Sequence, residues 1–278
     1  MSNEQIKPVA REGQSFDTST DDRFFQYYLQ QSQSPAAVAR FERLADLTLK
    51  QMARQGRTGP FDVLDVGGGA GTLGRIYAGA GHRVTCVDIS EDLLSLGRQR
   101  AAQEALPIDF VNCSATDLPL ADATIDICLV PELLEHVVQW RAVLDQAARV
   151  LRPGGLLFLS TTNTLCPRQD EFELPLYSWY PPALKRYCEQ LARTTRPQLA
   201  NFSKYPAVNW FTFNSLCAAL RERHFDSFMD RLDMLEVRSA GTTKARIAST
   251  LARLPLGRFM TQLVTPNTLV LARKAAGA

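Results

Sequence analysis

The sequence predicts a doubly wound α/β domain, with a mostly parallel seven-stranded sheet, helices on both faces and an insertion after the fifth strand. Three observations carry this. Short apolar runs rich in β-formers alternate with helical periodicity from Phe61 to about Ser160, as a parallel sheet with crossover helices requires. The first run, Phe61–Val66, stops at the glycine cluster Gly67–Gly71 and is followed by the helical pattern Thr72–Ala80. Strand, glycine turn and helix set free N–H groups of a helix N-terminus against a ligand. The chain has 278 residues, 45% hydrophobic and 22% charged, ordinary for a globular protein and enough for one large α/β domain or two small ones.

In chain order, residues 1–20 are polar and read as a disordered tail. Residues 21–57 read as two N-terminal helices. One starts at Phe24, capped by Asp21 or Asp22. The other spans Pro35–Gln55, with Phe41, Leu44, Leu47 and Met52 at helical spacing. They pack near the ligand mouth or simply cover a sheet edge. Residues 58–278 are the main domain. After the glycine turn, strands are expected at Arg83–Asp88, Ile108–Asn112, Ile125–Val130 and Leu156–Ser160, with helices from Ser90 and over Trp140–Leu151. The rhythm then breaks. Residues 163–212 hold nine of the 24 aromatics and six of the 15 prolines, so this stretch reads as a lid rather than a crossover. A helix over Phe213–Arg223, a strand within Asp226–Val237, two basic amphipathic helices within 240–264 (divided at Pro255) and a last strand at Asn267–Ala272 complete the chain.

Net charge is +2, which gives no field favouring nucleic acid. The charge is uneven: no acid follows Glu236, whereas Arg238, Lys244, Arg246, Arg253, Arg258, Arg273 and Lys274 do. Six cysteines without a C-x-x-C pair read as reduced, mostly buried thiols. No apolar run approaches the ~18–20 residues of a membrane span, and the first residues lack the apolar core of a signal peptide. A cytoplasmic location is expected, with peripheral membrane contact open.

The glycine turn admits two readings. Gly69, Gly71 and Gly74 match the dinucleotide pattern G-x-G-x-x-G, but two residues late relative to the strand end. Asp65, Gly67, Gly69 and Gly71 instead form acidic-x-Gly-x-Gly-x-Gly, in register with the strand. This resembles motif I of the class I S-adenosylmethionine-dependent methyltransferases. Asp88 ends the second strand and Asp117 follows the third. Asp117-Leu-Pro-Leu120 with Ile125-Asp-Ile-Cys128 resembles a further family signature, and Leu151-Arg-Pro-Gly-Gly-Leu-Leu-Phe-Leu-Ser160 resembles the segment before strand five. The resemblance covers about residues 60–163 and implies a Rossmann-like fold.

It also implies roles. Gly67, Gly68, Gly69 and Gly71 would let the backbone approach the methionine part of S-adenosylmethionine, with Asp65 orienting the turn. Asp88 would hold the ribose, with Ile89 against the adenine; an acid before a helix could instead be only its cap. Thr116, Asp117 and Leu118 would read the adenine edge, and Pro131 would border the cofactor. Pro131-Glu-Leu-Leu-Glu-His-Val137 resembles the E-x-x-E-H element of ubiquinone-pathway O-methyltransferases. Spacing i, i+3, i+4 puts Glu132, Glu135 and His136 on one face of a helical turn, and a His titrating near neutrality suits a general base. No metal site is assigned, although two acids and a His can ligate Mg2+, an ion that takes more oxygen ligands.

The acceptor would be a small or lipophilic molecule met by lid residues, with Tyr177, Trp179, Tyr180 and Trp210 as candidates. Lys185, Arg186, Arg193 and Arg196 beside Trp179 and Tyr180 could rest on an anionic membrane, or be the solvated charges of a packed lid. Two other classes stay in play: a binding or regulatory protein with a degenerate methyltransferase fold, and an NAD(P) oxidoreductase.

Overall fold

A computed structural model describes residues 32–200, 206–254 and 256–277. The tail over 1–20, the helix expected from Phe24, and Pro255 lie outside them. The elements are α1 (Pro35–Arg54), β1 (Asp62–Val66), α2 (Thr72–Gly79), β2 (Arg83–Asp88), α3 (Glu91–Gln103), β3 (Ile108–Asn112), β4 (Ile125–Pro131), α4 (Trp140–Val150), β5 (Leu151–Thr162), α5 (Pro182–Thr194), α6 (Phe213–Arg221), β6 (Phe225–Met229), α7 (Arg231–Arg238), α8 (Thr243–Arg253), α9 (Gly257–Val264) and β7 (Asn267–Lys274).

They form one seven-stranded sheet in the order β3-β2-β1-β4-β5-β7-β6. β7 runs antiparallel to both neighbours; the other pairs are parallel. The order reverses between β1 and β4, the switch point where doubly wound sheets bind ligands beyond the strands' C-terminal ends.

Alternating side chains feed two cores. Cys128 and Val130 of β4, with Leu157 and Leu159 of β5, pack under α4 and α6. Ile127 and Leu129, with Leu156 and Phe158, pack under α1, α2 and α7. Strands buried on both faces are nearly continuous apolar runs, and β4 is buried from Ile125 to Val130 with Asp126 as its one polar residue. α1 therefore does more than cover an edge. Its Leu44, Leu47 and Met52 enter the second core, and the Thr48 hydroxyl shares a 2.6 Å hydrogen bond with buried Tyr77. All six cysteines are free, and five are buried.

Two boundaries differ from the sequence expectation. β5 begins at Leu151, not Leu156, because Ile125 already pairs with Leu151, and the register shifts before Ile127 pairs with Leu156. The stretch over Asp226–Val237 divides into β6 and α7. Asp230 makes the break: its side chain accepts from the amides of Leu232 and Asp233, and Asp233 bonds back, a reciprocal cap that starts a helix.

The Arg152-Pro-Gly-Gly and Ile125-Asp-Ile-Cys motifs sit at the N-terminal end of the sheet, away from the switch point. There Arg152 bridges Asp62 (2.9 Å) and Asp126 (2.8 Å), Arg57 also pairs with Asp126, and Asp126 accepts the Asp62 amide at 2.9 Å. Asp126 is 4% exposed, so its loss leaves the Arg57 guanidinium and the Asp62 amide without their acceptor and Arg152 with Asp62 alone. Asp126→Ala is expected to destabilise the fold by roughly 2–4 kcal/mol, measured by denaturant unfolding, with little effect on ligand affinity.

Candidate active site

The glycine turn leaves β1 in a conformation closed to most residues. Gly67, Gly69 and Gly71 have φ of 73°, 52° and 70°. A Cβ on Gly68 would lie 2.4 Å from Cys86 Sγ and 2.7 Å from Asp65 Oδ2. The amides of Gly67 and Gly68 donate to the Val87 carbonyl at 2.8 and 3.2 Å, continuing the β1–β2 ladder into the turn. Asp88 fastens the next step: Oδ2 accepts the Gly69 amide and Oδ1 the Ser90 amide, both at 2.9 Å. The Ser90 hydroxyl, not Asp88, caps α3. Asp88 is only partly buried, and its oxygens retain capacity for ligand hydroxyls.

Asp65 is wholly buried. Burial first, then the Asp88 charge, raises its carboxyl to about 7; the Gly74 amide pulls the other way, from beyond hydrogen-bond geometry, for neither oxygen has a partner among the described residues. Ile89 and Thr116 are half-buried and Asp117 is exposed in the turn that follows β3. Leu118 belongs to the core instead, 4% exposed, with its amide donating to Gln146 Oε1 at 3.1 Å.

The segment after β4 departs from the helical turn expected for Glu132, Glu135 and His136. It is a run of turns in which Glu132 has a φ of 52°, so the three side chains do not share one face. Glu132 Oε1 accepts from Arg40 (2.6 Å) and Asn267 (3.1 Å). Glu135 points inward, accepting from the Thr161 hydroxyl at 2.8 Å. Its backbone carbonyl accepts the amides of Val208 and Asn209, and the Asn209 side chain donates to the carbonyls of Leu134 and Val137. The chain returning from the lid thus holds this loop in place.

Glu171 takes the place expected for Glu132. Ligand atoms of Glu135, His136 and Glu171 all lie within 4.8 Å of one another. Gln169 Oε1 orients Glu171 by accepting its amide and that of Phe172, both at 2.7 Å. Burial, then Glu171, then Glu132 push Glu135 well above the usual carboxylate range. Burial, then Glu132 and Asp170, raise Glu171 to about 7. Carboxyls crowded round an imidazole in this way can share protons with it, hold it as a cation, or bind a divalent ion. Glu171 lies 35 residues from His136 in a stretch without periodicity, and nothing local in the sequence signals their meeting.

The lid has a small core of its own, Phe172, Tyr177, Cys188, Ala192 and Ala200. Tyr177 is fully buried, stacked on Phe172 at 4.0 Å, so it serves the lid rather than lining a cavity. Tyr180 and Trp210 flank it at 5.3 and 5.5 Å, and Trp179 faces outward. Lys185 is a packing contact and not part of a free basic patch. Its ammonium sits 4.3 Å from the Trp210 ring centre and donates to the Ser178 carbonyl at 2.9 Å; burial lowers it to about 8.

Residues 64–159 match the family described as a methyltransferase domain. A ubiquinone biosynthesis O-methyltransferase of Xanthomonas oryzae pv. oryzae is 37% identical over 102 residues, 36% of this chain and 43% of the relative. The ubiquinone/menaquinone biosynthesis C-methyltransferase UbiE of Bradyrhizobium diazoefficiens is 34% identical over 159 residues, 55% of this chain and 62% of the relative. The chain thus aligns with less than two thirds of either relative's length. Among solved structures, geranyl diphosphate C-methyltransferase from Streptomyces coelicolor A3(2) superposes with a TM-score of 0.53 at 17% identity, covering 99% of this chain and 91% of that one, a likeness of fold.

Asp65 and Glu171 bind their protons more tightly folded than unfolded. Their contribution is therefore full below the ordinary carboxylate pKa and lost as pH rises through about 7. The thermal midpoint of the unliganded protein is expected to fall between pH 5 and pH 8. Asp65→Asn should flatten that fall and raise the midpoint at pH 8, by roughly 2–4 °C for each kcal/mol recovered, read by calorimetry.

Proposed function

We propose that this chain, whose residues 64–159 match the methyltransferase-domain family, is a class I S-adenosylmethionine-dependent methyltransferase that transfers a methyl group to an oxygen of a small lipophilic acceptor. The site fits that cofactor: a turn of four glycines and the buried Ala70, an Asp65 carboxyl without a partner among the described residues, and Asp88 with acceptor capacity left at the end of β2. When bound, S-adenosylmethionine supplies an electrophilic methyl. The chain has to align the acceptor with it and remove the acceptor's proton.

The observation that carries the oxygen reading is His136, set between Glu135 and Glu171 where β4 ends. Leu133 of the same loop lies 3.1 Å from the Cβ position of Gly67, so the imidazole loop and the cofactor turn are in contact. A hydroxyl acceptor loses a proton on methylation. The imidazole takes it, and the neighbouring carboxyls stabilise the imidazolium that results. Named relatives act on both oxygen and carbon; both transfers release a proton, and the oxygen reading takes the imidazole to accept it directly from the acceptor hydroxyl. The same three side chains could hold Mg2+ as a partial ligand set, and such an ion would supply Lewis acidity at the acceptor oxygen.

Equilibrium binding of S-adenosylhomocysteine and NADH, with His136→Ala assayed alongside, tests this. The expected result is binding of S-adenosylhomocysteine only, with His136→Ala keeping that affinity and losing at least ~100-fold in turnover. NADH binding alone would return the site to a dinucleotide enzyme, and unchanged turnover would remove His136 as the base. A thermal midpoint raised by Mg2+ over chelator assigns the cluster a cation; equal midpoints leave it to the proton.

We propose further that the chain is peripheral at a cytoplasmic anionic lipid surface, docked through α8 and α9. Among the described residues no helix is long and apolar enough to cross a membrane. α8 packs inward through Ala245 and Ala248, and turns Ile247 and Leu251 outward. Leu254, Leu256, Met260 and Val264 extend that surface, with Val264 71% exposed. Lys244, Arg246 and Arg253 are exposed beside it, and no acid follows Glu236; the occupant is therefore anionic as well as apolar. The face is held rigidly: Arg258 bonds Asp233 at 2.7 and 2.8 Å, and the Asn163 amide caps the carbonyls of Gln262 and Thr265. Co-flotation with phosphatidylcholine vesicles containing phosphatidylglycerol, and its loss in Ile247→Asp/Val264→Asp, is expected. Absence of flotation, or self-association through this face, would overturn the docking.

A further inference from the structure

A cavity of about 380 Å3 opens between α1, α7 and the ends of β4, β5 and β7. Its floor is apolar, with Phe41, Leu44, Phe158, Met234 and Leu269. Its wall carries four arginines, Arg40, Arg43, Arg231 and Arg238, and one acid, Glu132. Glu132 is already taken by Arg40 at 2.6 Å. Arg43, Arg231 and Arg238 form no ion pair among the described residues.

Arg231 is the most telling. Its Nε is buried without a hydrogen-bond partner, and one Nη donates only to the Asn267 carbonyl, at 3.3 Å. Burial, then the Arg238 charge, lowers its pKa. A desolvated guanidinium beside a second one costs stability unless an anion compensates it, and the planar guanidinium fork is matched to carboxylate and phosphate oxygens. Seven residues separate Arg231 from Arg238, two helical turns, so both lie on the α7 face that meets α1.

We infer that this cavity binds an amphiphilic oxyanion, an apolar body ending in a carboxylate or phosphate, and that the methyl acceptor belongs to this class. The link to the acceptor rests on the methyl-transfer reading: Pro131, the last residue of β4, and Glu132, the first of the loop that carries His136, line the cavity. The apolar floor takes the body and the arginines take the anionic end.

The test uses the full chain and three ten-carbon probes, decanoate, decyl phosphate and decanol, titrated calorimetrically with and without S-adenosylhomocysteine. At least one anionic probe is expected to bind tenfold or more tighter than decanol; whichever is tighter identifies carboxylate or phosphate. The double substitution Arg231→Met/Arg238→Met should abolish that preference, Arg231→Lys should retain part of it, and S-adenosylhomocysteine affinity should stay the same in both variants. Equal binding of decanol and the anions, or no effect of the double substitution in a protein that still binds S-adenosylhomocysteine, would overturn the inference. Anion binding without S-adenosylhomocysteine binding would keep the cavity and remove the methyl-transfer reading, so the two fail separately.

Discussion

The hydrogen bond from the Gly69 amide to Asp88 is the contact on which the site depends. It ties the turn after β1 to the end of β2, two strands already in register from Asp62↔Arg83 to Val66↔Val87. The turn can take that path only because Gly68 has no side chain to strike Asp65 and Cys86. Asp65 bears the consequence: it is sealed beneath the turn, its charge disfavoured by burial and by Asp88. A cationic ligand group above the turn would relieve both, so the site carries part of its affinity as unrelieved electrostatic cost.

The two ends of the sheet divide the work. At the N-terminal end, Asp62 and Asp126 are held by Arg57, Arg83 and Arg152, and each of these five charges has an opposite partner. At the C-terminal end they are left uncompensated. Glu135 and Glu171 crowd His136 on one side, while Arg43, Arg231 and Arg238 line the cavity on the other. The Glu132–Arg40 pair lies on the seam between the two groups. Stability is settled where the charges pair, and binding capacity is kept where they do not.

Tertiary contacts, not local preference, shape the catalytic loop. Glu132 sits at positive φ, a conformation few non-glycine residues hold without support, and Arg40 and Asn267 grip its carboxylate. Asn209, returning from the lid, donates to the loop carbonyls of Leu134, Glu135 and Val137. The lid is therefore a structural partner of the loop, and its aromatic residues are spent largely on the lid's own core.

The seven strands, the glycine turn and its acids were legible in the sequence because each follows from a local rule. Buried parallel strands must be apolar on both faces, and a turn at positive φ demands glycine. Asp65, Asp88 and Asp117 could be placed because strand ends are fixed by those same patterns. What the sequence could not decide was which distant groups meet. Glu171 replaces Glu132 beside His136, Tyr177 turns into the lid, Lys185 lies on Trp210, and arginines from α1 and α7 converge on one cavity. Helical spacing wrongly joined Glu132 to Glu135 and His136, because it assumes a helix that β5, β7 and α1 do not permit there. Such meetings are set by how helices and lid pack on the sheet, over separations where periodicity carries no signal.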